Sequence, residues 1–400
     1  MLHVNSNIRA ISVSPASMMT AKARELTGRG VKVVSLSTGE PDFDTPEHVV
    51  EAAVRAARSG NTHYPPLDGV MSLKEAVQRK FQRDNRLGYA LNEIMVANGA
   101  KQIIFNALMA TLEPGDEVIV PVPAYASYAD MTRSVGGVPV TVTCGQNNGF
   151  RLRPEDLEAA IGPRTRWVIL NFPNNPTGTV YSREHLQEIA AVVLRHPDVW
   201  VLTDDIYEHL TYADVPFRTI AEVEPQLKDR VLTVNGCSKA YAMTGWRVGF
   251  CGGPRPLIEQ MLKVQSQVSS GICTISQAAA VAALDGPQEI LEQWRQVYRE
   301  RRDLVVGMLS QVPQLSCHRP DGAFYAFPNV AGCLGRTTAG GARLQTDADV
   351  SLALLAEQHV STVHGAAFGP SGYIRLSYAT DMDSLRIACE RIQAFCASLR

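Results

Sequence analysis

Four short apolar runs constrain the fold of this chain more than any other feature: EVIVPVP (117–123), WVILNFP (167–173), VWVLTDD (199–205) and VLTVNG (231–236). Each is rich in valine, isoleucine or leucine and does not alternate cleanly with polar residues. That predicts strands buried on both faces, in a mostly parallel sheet covered by helices. Between the second and third runs, SREHLQEIAAVVLRHP places Leu186, Ile189, Ala190, Val193 and Leu194 at helical spacing. The result is a β-α-β pattern with an expected right-handed crossover, and the expected class is α/β.

At 400 residues the chain exceeds one ordinary core and predicts roughly two or three domains. The segment 286–309 carries Ile290, Leu291, Trp294, Val297, Tyr298, Leu304, Val305 and Met308 at steps of three and four. It predicts a long amphipathic helix able to leave one domain and enter another. Beyond it the pattern turns to shorter mixed elements, ending in the helical LRIACERIQAFCASL, so a boundary is expected near 286. Pattern alone does not assign the first 45 or so residues.

A net charge of −2, with 45% hydrophobic and 20% charged residues, predicts no nucleic-acid partner. The N-terminus lacks the basic and apolar regions of a signal peptide, and no apolar run is long enough to span a bilayer. The eight cysteines form no CxxC pair and the nine histidines no HExxH, so no metal is expected and the thiols are read as reduced, in a cytoplasmic protein.

Ligands of parallel α/β sheets gather at the carboxyl ends of the strands. Here those ends deliver Ala124 and Tyr125, Asn174 and Asn175, Asp204 and Asp205 with Tyr207, and Ser238 and Lys239, while Asn98, Gly99, Ala100 and Lys101 open a helix. A helix N-terminus binds phosphate through its free N–H groups, and Arg247 can add a bidentate contact. A desolvated lysine condenses with a carbonyl, and a carboxylate holds a pyridine nitrogen protonated. Together these needs describe pyridoxal phosphate. Taken singly, the lysine also reads as a surface charge, the aspartates as helix caps and the tyrosines as core residues.

The same segments carry a resemblance. STGEPDFDTPEHV, NTHYPPLDG, NGAKQ, PGDEVIVP, NNPTG, DDIYEHL, NGCSKAYAMTGWRVG, DGAFY and FGPSGYIRLSYA, in this order, resemble the fold-type I pyridoxal-phosphate aminotransferases, specifically the bacterial aspartate aminotransferase group. The resemblance implies pyridoxal 5′-phosphate as cofactor and Lys239 as its Schiff-base lysine. It further implies Asp204 as partner of the pyridinium, Asn175 and Tyr207 on the ring oxygen, Tyr125 stacked on the ring, and Gly99, Ala100, Ser238 and Arg247 at the phosphate. By the same resemblance Tyr64 reaches the phosphate of a neighbouring subunit, making a homodimer, and Arg375 clamps the substrate α-carboxylate with help from Gly39. Residues 48–285 would form a large cofactor-binding domain, and 1–47 with 286–400 a small one.

The implied activity is ping-pong transfer of an amino group from an L-amino acid, aspartate first, to a 2-oxo acid such as 2-oxoglutarate. Lys101 matches a lysine that contacts a distal carboxylate, or is a solvated residue of a helix's first turn. The group usually reads PYW where this chain has Pro123, Ala124 and Tyr125, which leaves aromatic amino acids, prephenate or another donor as an alternative. Lyases share the fold, and transcription regulators borrow it with an added DNA-binding domain. Ammonia or pyruvate release without a 2-oxo acceptor would mark a lyase.

Overall fold

A computed structural model describes residues 2–11, 13–212 and 216–400. Seven strands meet in one sheet: β1 (Ile94–Ala97), β2 (Glu117–Val122), β3 (Val138–Thr143), β4 (Thr165–Asn171), β5 (Trp200–Asp204), β6 (Val231–Gly236) and β7 (Gly249–Gly252). Their order is β1-β7-β6-β5-β4-β2-β3. Strands β2 to β6 pair in parallel, and β7 runs antiparallel to both β6 and β1. Because β7 alone is reversed, β1 points the same way as the rest, and its C-terminal end opens on the same edge as those of β4, β5 and β6.

The four apolar runs are all strands of this sheet, and the reason is visible in the packing. Alternate residues of one strand enter different cores: Val168 and Leu170 pack on one face, Trp167 and Ile169 on the other. A strand with no wet face needs no polar period.

Strand β7 was not evident from the sequence. Its glycine ends follow from close approach: a Cβ on Gly249 would overlap the backbone of Gly99 and Ala100, and one on Gly252 the ring of Tyr89. Such a strand gives up side-chain packing to let another backbone pass.

Helix α1 (Ala100–Thr111) follows β1, helix α2 (Ser127–Ser134) follows β2, and the long helix α3 spans Glu289–Leu309. Helix α3 starts three residues later than the periodicity suggests. Gly286 caps the preceding helix Thr274–Asp285, and the Gln288 amide donates to the carbonyls of Ala283 and Gly286, so the chain must turn before it can wind again.

A further apolar cluster joins Val34 and Leu36 to Tyr298, Val305, Phe324, Leu354, Leu376 and Phe395. The segment 34–37 is held between two strands: Leu36 N–H donates to Ser361 O at 2.8 Å, and Leu36 O accepts from Ser377 N–H at 2.8 Å. Phe43 then stacks on Trp294 of α3, centroids 4.6 Å apart. This anchoring brings Ser37 and Gly39 over the carboxyl edge of the sheet.

Candidate active site

A cavity of about 290 Å³ opens at that edge. Its wall contains Gly39, Ala100, Lys101, Tyr125, Asn175, Asp204, Tyr207, Ser238, Lys239, Arg247 and Arg375. Eleven residues singled out in the sequence, spread from 39 to 375, thus share one surface. Gly99 lies directly behind it, with φ 88° at the N-cap of α1. A Cβ there would overlap the Arg247 guanidinium, so glycine leaves the room in which an anion meets the helix N-terminus and the arginine together.

Lys239 sits in the turn that follows β6, and its Nζ donates to the carbonyl of Gly39 at 2.6 Å. Burial pushes its amine down to about 8, opposed by Glu40 and reinforced by Arg375 and Arg247. Asp204 ends β5 and is buried. Its Oδ2 accepts from the Tyr128 hydroxyl at 2.7 Å, while Oδ1 has no hydrogen-bond partner. Burial raises this carboxyl to about 6, although the Tyr128 hydrogen bond, the backbone N–H of Ile206 and Lys239 work against the shift.

Asp205 is not a wall residue. It points into the opposite core, accepting from Thr203 Oγ1 at 2.5 Å, and burial pushes it up to about 8. Neighbouring strand residues face opposite sides, so only one aspartate of the pair meets the cavity.

Arg375, from the strand Ile374–Ser377, is 3% exposed. It donates to Asn175 Oδ1 at 3.1 Å and to Ser37 O at 2.6 Å, and its guanidinium lies 4.6 Å from the Tyr325 ring centroid and 5.0 Å from that of Phe368. Its hydrogen-bonding neighbours are neutral and Nε has no partner, leaving a buried cation ready for a carboxylate. Tyr207 meets Tyr325, hydroxyl to hydroxyl, at 2.9 Å. Lys101 Nζ lies 5.3 Å from the Tyr125 ring centroid.

Tyr64 is 95% exposed and lies with Pro65 and Ile272 outside this cavity. Sequence reasoning missed Tyr128, Asn171, Ser37 and Tyr325. Asn171 Nδ2 donates to Asp204 O at 2.8 Å, and its Oδ1 accepts from Asn175 N–H at 3.0 Å. Tyr128, three residues after Tyr125, and Tyr325, inside DGAFY, were findable; Ser37 acts through its carbonyl, which leaves no trace in residue type.

Among the described residues, one acidic group elsewhere has metal-like spacing. Asp84, Glu208 and His209 each bring a ligand atom within 4.8 Å of the others. Lys80 Nζ already ion-pairs with Glu208 and lies 3.9 Å from Asp84, supplying the charge a cation would bring.

The residues present fit pyridoxal phosphate. An amine with a lowered pKa suits its aldehyde, the orphaned Asp204 Oδ1 suits a protonated ring nitrogen, and the Gly99 and Arg247 recess suits its phosphate. Fold and site together define a pyridoxal-phosphate-dependent enzyme.

Comparison with known proteins narrows the class. The family model for aminotransferase class I and II matches residues 31–392. The chain is 50% identical to the aspartate/prephenate aminotransferase of Cereibacter sphaeroides, covering 100% of both. It is 52% identical to an aspartate aminotransferase of Rhizobium meliloti, over 98% of this chain and 96% of that one. A crystal structure of the Rhizobium meliloti aspartate aminotransferase superposes with a TM-score of 0.97 at 51% identity, covering 100% of each chain. The Thermus thermophilus aspartate aminotransferase with maleate gives 0.92 at 40% identity, over 99% of this chain and 100% of that one. The chain belongs to the aminotransferase class I and II family, whose members depend on pyridoxal phosphate and act on small amino and oxo acids. Among the described residues, no helix is long and apolar enough to cross a membrane.

Proposed function

We propose that this aminotransferase takes the amino group of L-aspartate and passes it to 2-oxoglutarate in a ping-pong cycle. The observation that carries the reading is that Arg375, Lys101 and Arg247 line one cavity. They match the three anions the reaction brings together: the substrate's α-carboxylate, its distal carboxylate and the cofactor phosphate. The relatives' names support the same substrate, as does the pairing of the Thermus thermophilus enzyme with maleate, a four-carbon dicarboxylate.

When bound, pyridoxal phosphate supplies an aldehyde carbon and a ring that accepts the electron pair left at the substrate α-carbon. The chain's own groups do the rest. Arg375 and the Gly39 segment fix the α-carboxylate, which orients the Cα–H bond. Lys239 Nζ, neutral above about 8, takes that proton as a positioned base. Asp204 would hold a proton at the ring nitrogen, Asn175 and Tyr207 would hydrogen-bond the ring oxygen, and Tyr125 would cover the ring face. Gly99, Ala100, Ser238 and Arg247 would hold the phosphate through backbone donors, a hydroxyl and a guanidinium.

A second reading rests on Tyr125. Tyrosine in place of tryptophan keeps a stacking face but moves the donor, and Ser14, Ala16 and Ser17 add small side chains to the wall of the same cavity. Aromatic donors and prephenate suit such a wall. Single-turnover spectra with aspartate, glutamate, phenylalanine and alanine decide between them: aspartate among the slowest would end the leading assignment. Lys101→Met should lower kcat/KM for aspartate by about tenfold or more and leave phenylalanine within about threefold, the range for losing one charge contact. Equal losses for both would remove Lys101 as the selector.

Tyr64 belongs to the same proposal. Its exposure outside its own cavity fits a hydroxyl serving the phosphate of a second subunit in a homodimer. Light scattering should give a particle of two chains, and a fully active monomer would refute the shared site.

A further inference from the structure

The ring partner Asp204 has two oxygens in different situations, and the residue responsible is Tyr128. Its hydroxyl holds Oδ2 at 2.7 Å, while Oδ1 is left without a partner. An aspartate's terminal torsion is broad and roughly two-fold, so an untied carboxylate would rotate between several settings. The Asn171 amide fixes the Asp204 backbone but leaves that torsion untouched; the Ile206 backbone N–H also faces the carboxyl, and Tyr128 supplies its side-chain donor. Tyr128 is 2% exposed, at the start of α2, and its ring also meets Tyr125 edge-on, centroids 5.6 Å apart at 88°. One side chain therefore stands behind both the ring-covering aromatic and the ring-nitrogen partner.

We propose that Tyr128 is a positioning residue that turns Asp204 Oδ1 toward the cofactor's ring nitrogen by tying up Oδ2. The proposal rests on the reading of Asp204 given above. It assigns the hydroxyl one task, with a consequence separable from packing: Tyr128→Phe keeps the ring against Tyr125 and deletes only the donor. Burial and the Asp204 charge both hold the phenol well above its usual range, so the hydroxyl remains a donor throughout the working pH range.

The test is a double-mutant cycle read by the affinity of pyridoxamine 5′-phosphate, which makes no covalent bond to Lys239 and so reports the non-covalent contacts alone. Four proteins are compared: the native chain, Tyr128→Phe, Asp204→Asn and the double variant. A hydrogen bond to a charged group predicts that Tyr128→Phe weakens the native chain's affinity about tenfold. In the Asp204→Asn background the same change should cost less than about twofold, because the hydroxyl acts only through the carboxylate. The ultraviolet band of the bound probe, which follows ring protonation, should shift in Tyr128→Phe.

An equal loss in both backgrounds, no loss in the native one, or an unshifted band overturns the role of Tyr128 while leaving that of Asp204 intact. Unchanged affinity in Asp204→Asn alone removes the Asp204 reading, and the proposal with it.

Discussion

Lys239→Ala should lower kcat by roughly ten-thousand-fold or more, since it removes both the proposed covalent anchor and the proposed positioned base. The purified variant should also lack the borohydride-reducible bond that the proposed assignment places, in the native enzyme, between the cofactor and the peptide carrying residue 239. The fold should survive: Lys239 is half-buried at the cavity wall and its amine is held below its ordinary value, so the deletion removes a desolvation cost together with one hydrogen bond to Gly39. The melting temperature is the check on that point, and the net change expected is within about 1 kcal/mol. The sign of the pH dependence follows from the same residue. Only the neutral amine attacks an aldehyde, and its pKa is lowered from 10.5 to about 8. Cofactor uptake by the cofactor-free enzyme should therefore rise with pH and level off above about 8. A midpoint near 10.5, or a variant that keeps the cofactor covalently bound at the same peptide, would refute the assignment.

What made Lys239 legible was its place at the end of an apolar strand, and the same logic exposed Asn175, Asp204 and Tyr125. Strands buried on both faces announce themselves as uninterrupted apolar runs, and the chemistry then begins where the run stops. The method fails where function is carried by something other than residue type at a strand end. Ser37 O reaches Arg375 across 338 residues, through a carbonyl that any residue would offer. Strand β7 escapes because Gly249 and Gly252 replace the side chains that would signal it, a substitution forced by the neighbouring backbone and the Tyr89 ring. Asp204 ends β5 and Asp205 directly follows it, so the two differ only in the side to which they point, and an apolar run with two buried faces does not say which side opens on a cavity. Lys101 stayed ambiguous for a related reason: the first turn of a helix at a cavity rim is both solvated and substrate-facing. Its position over the Tyr125 ring shows the direction of the side chain, which spacing alone could not give.

Arg375→Ala should depress kcat/KM for every amino acid together, by about 2–5 kcal/mol of lost transition-state binding, the range for truncating one partner of a buried charge pair. The size follows from how the guanidinium is held. It is 3% exposed, sandwiched near the rings of Tyr325 and Phe368, and bonded only to a neutral amide and a backbone carbonyl. No desolvation of the arginine remains to be done when a carboxylate arrives, because folding has already done it. Arg375→Lys should recover only a small part of the loss: an ammonium keeps the charge but not the planar fork that Asn175 and Ser37 orient. The contrast with Lys101 is the sharper part of the prediction. A clamp on the group common to all amino acids must tax aspartate and phenylalanine alike, within about threefold, whereas a contact to the side chain must separate them. Arg375→Ala that spares one donor and disables another would mean that the guanidinium reads the side chain instead, and the roles given to Arg375 and Lys101 would have to be exchanged.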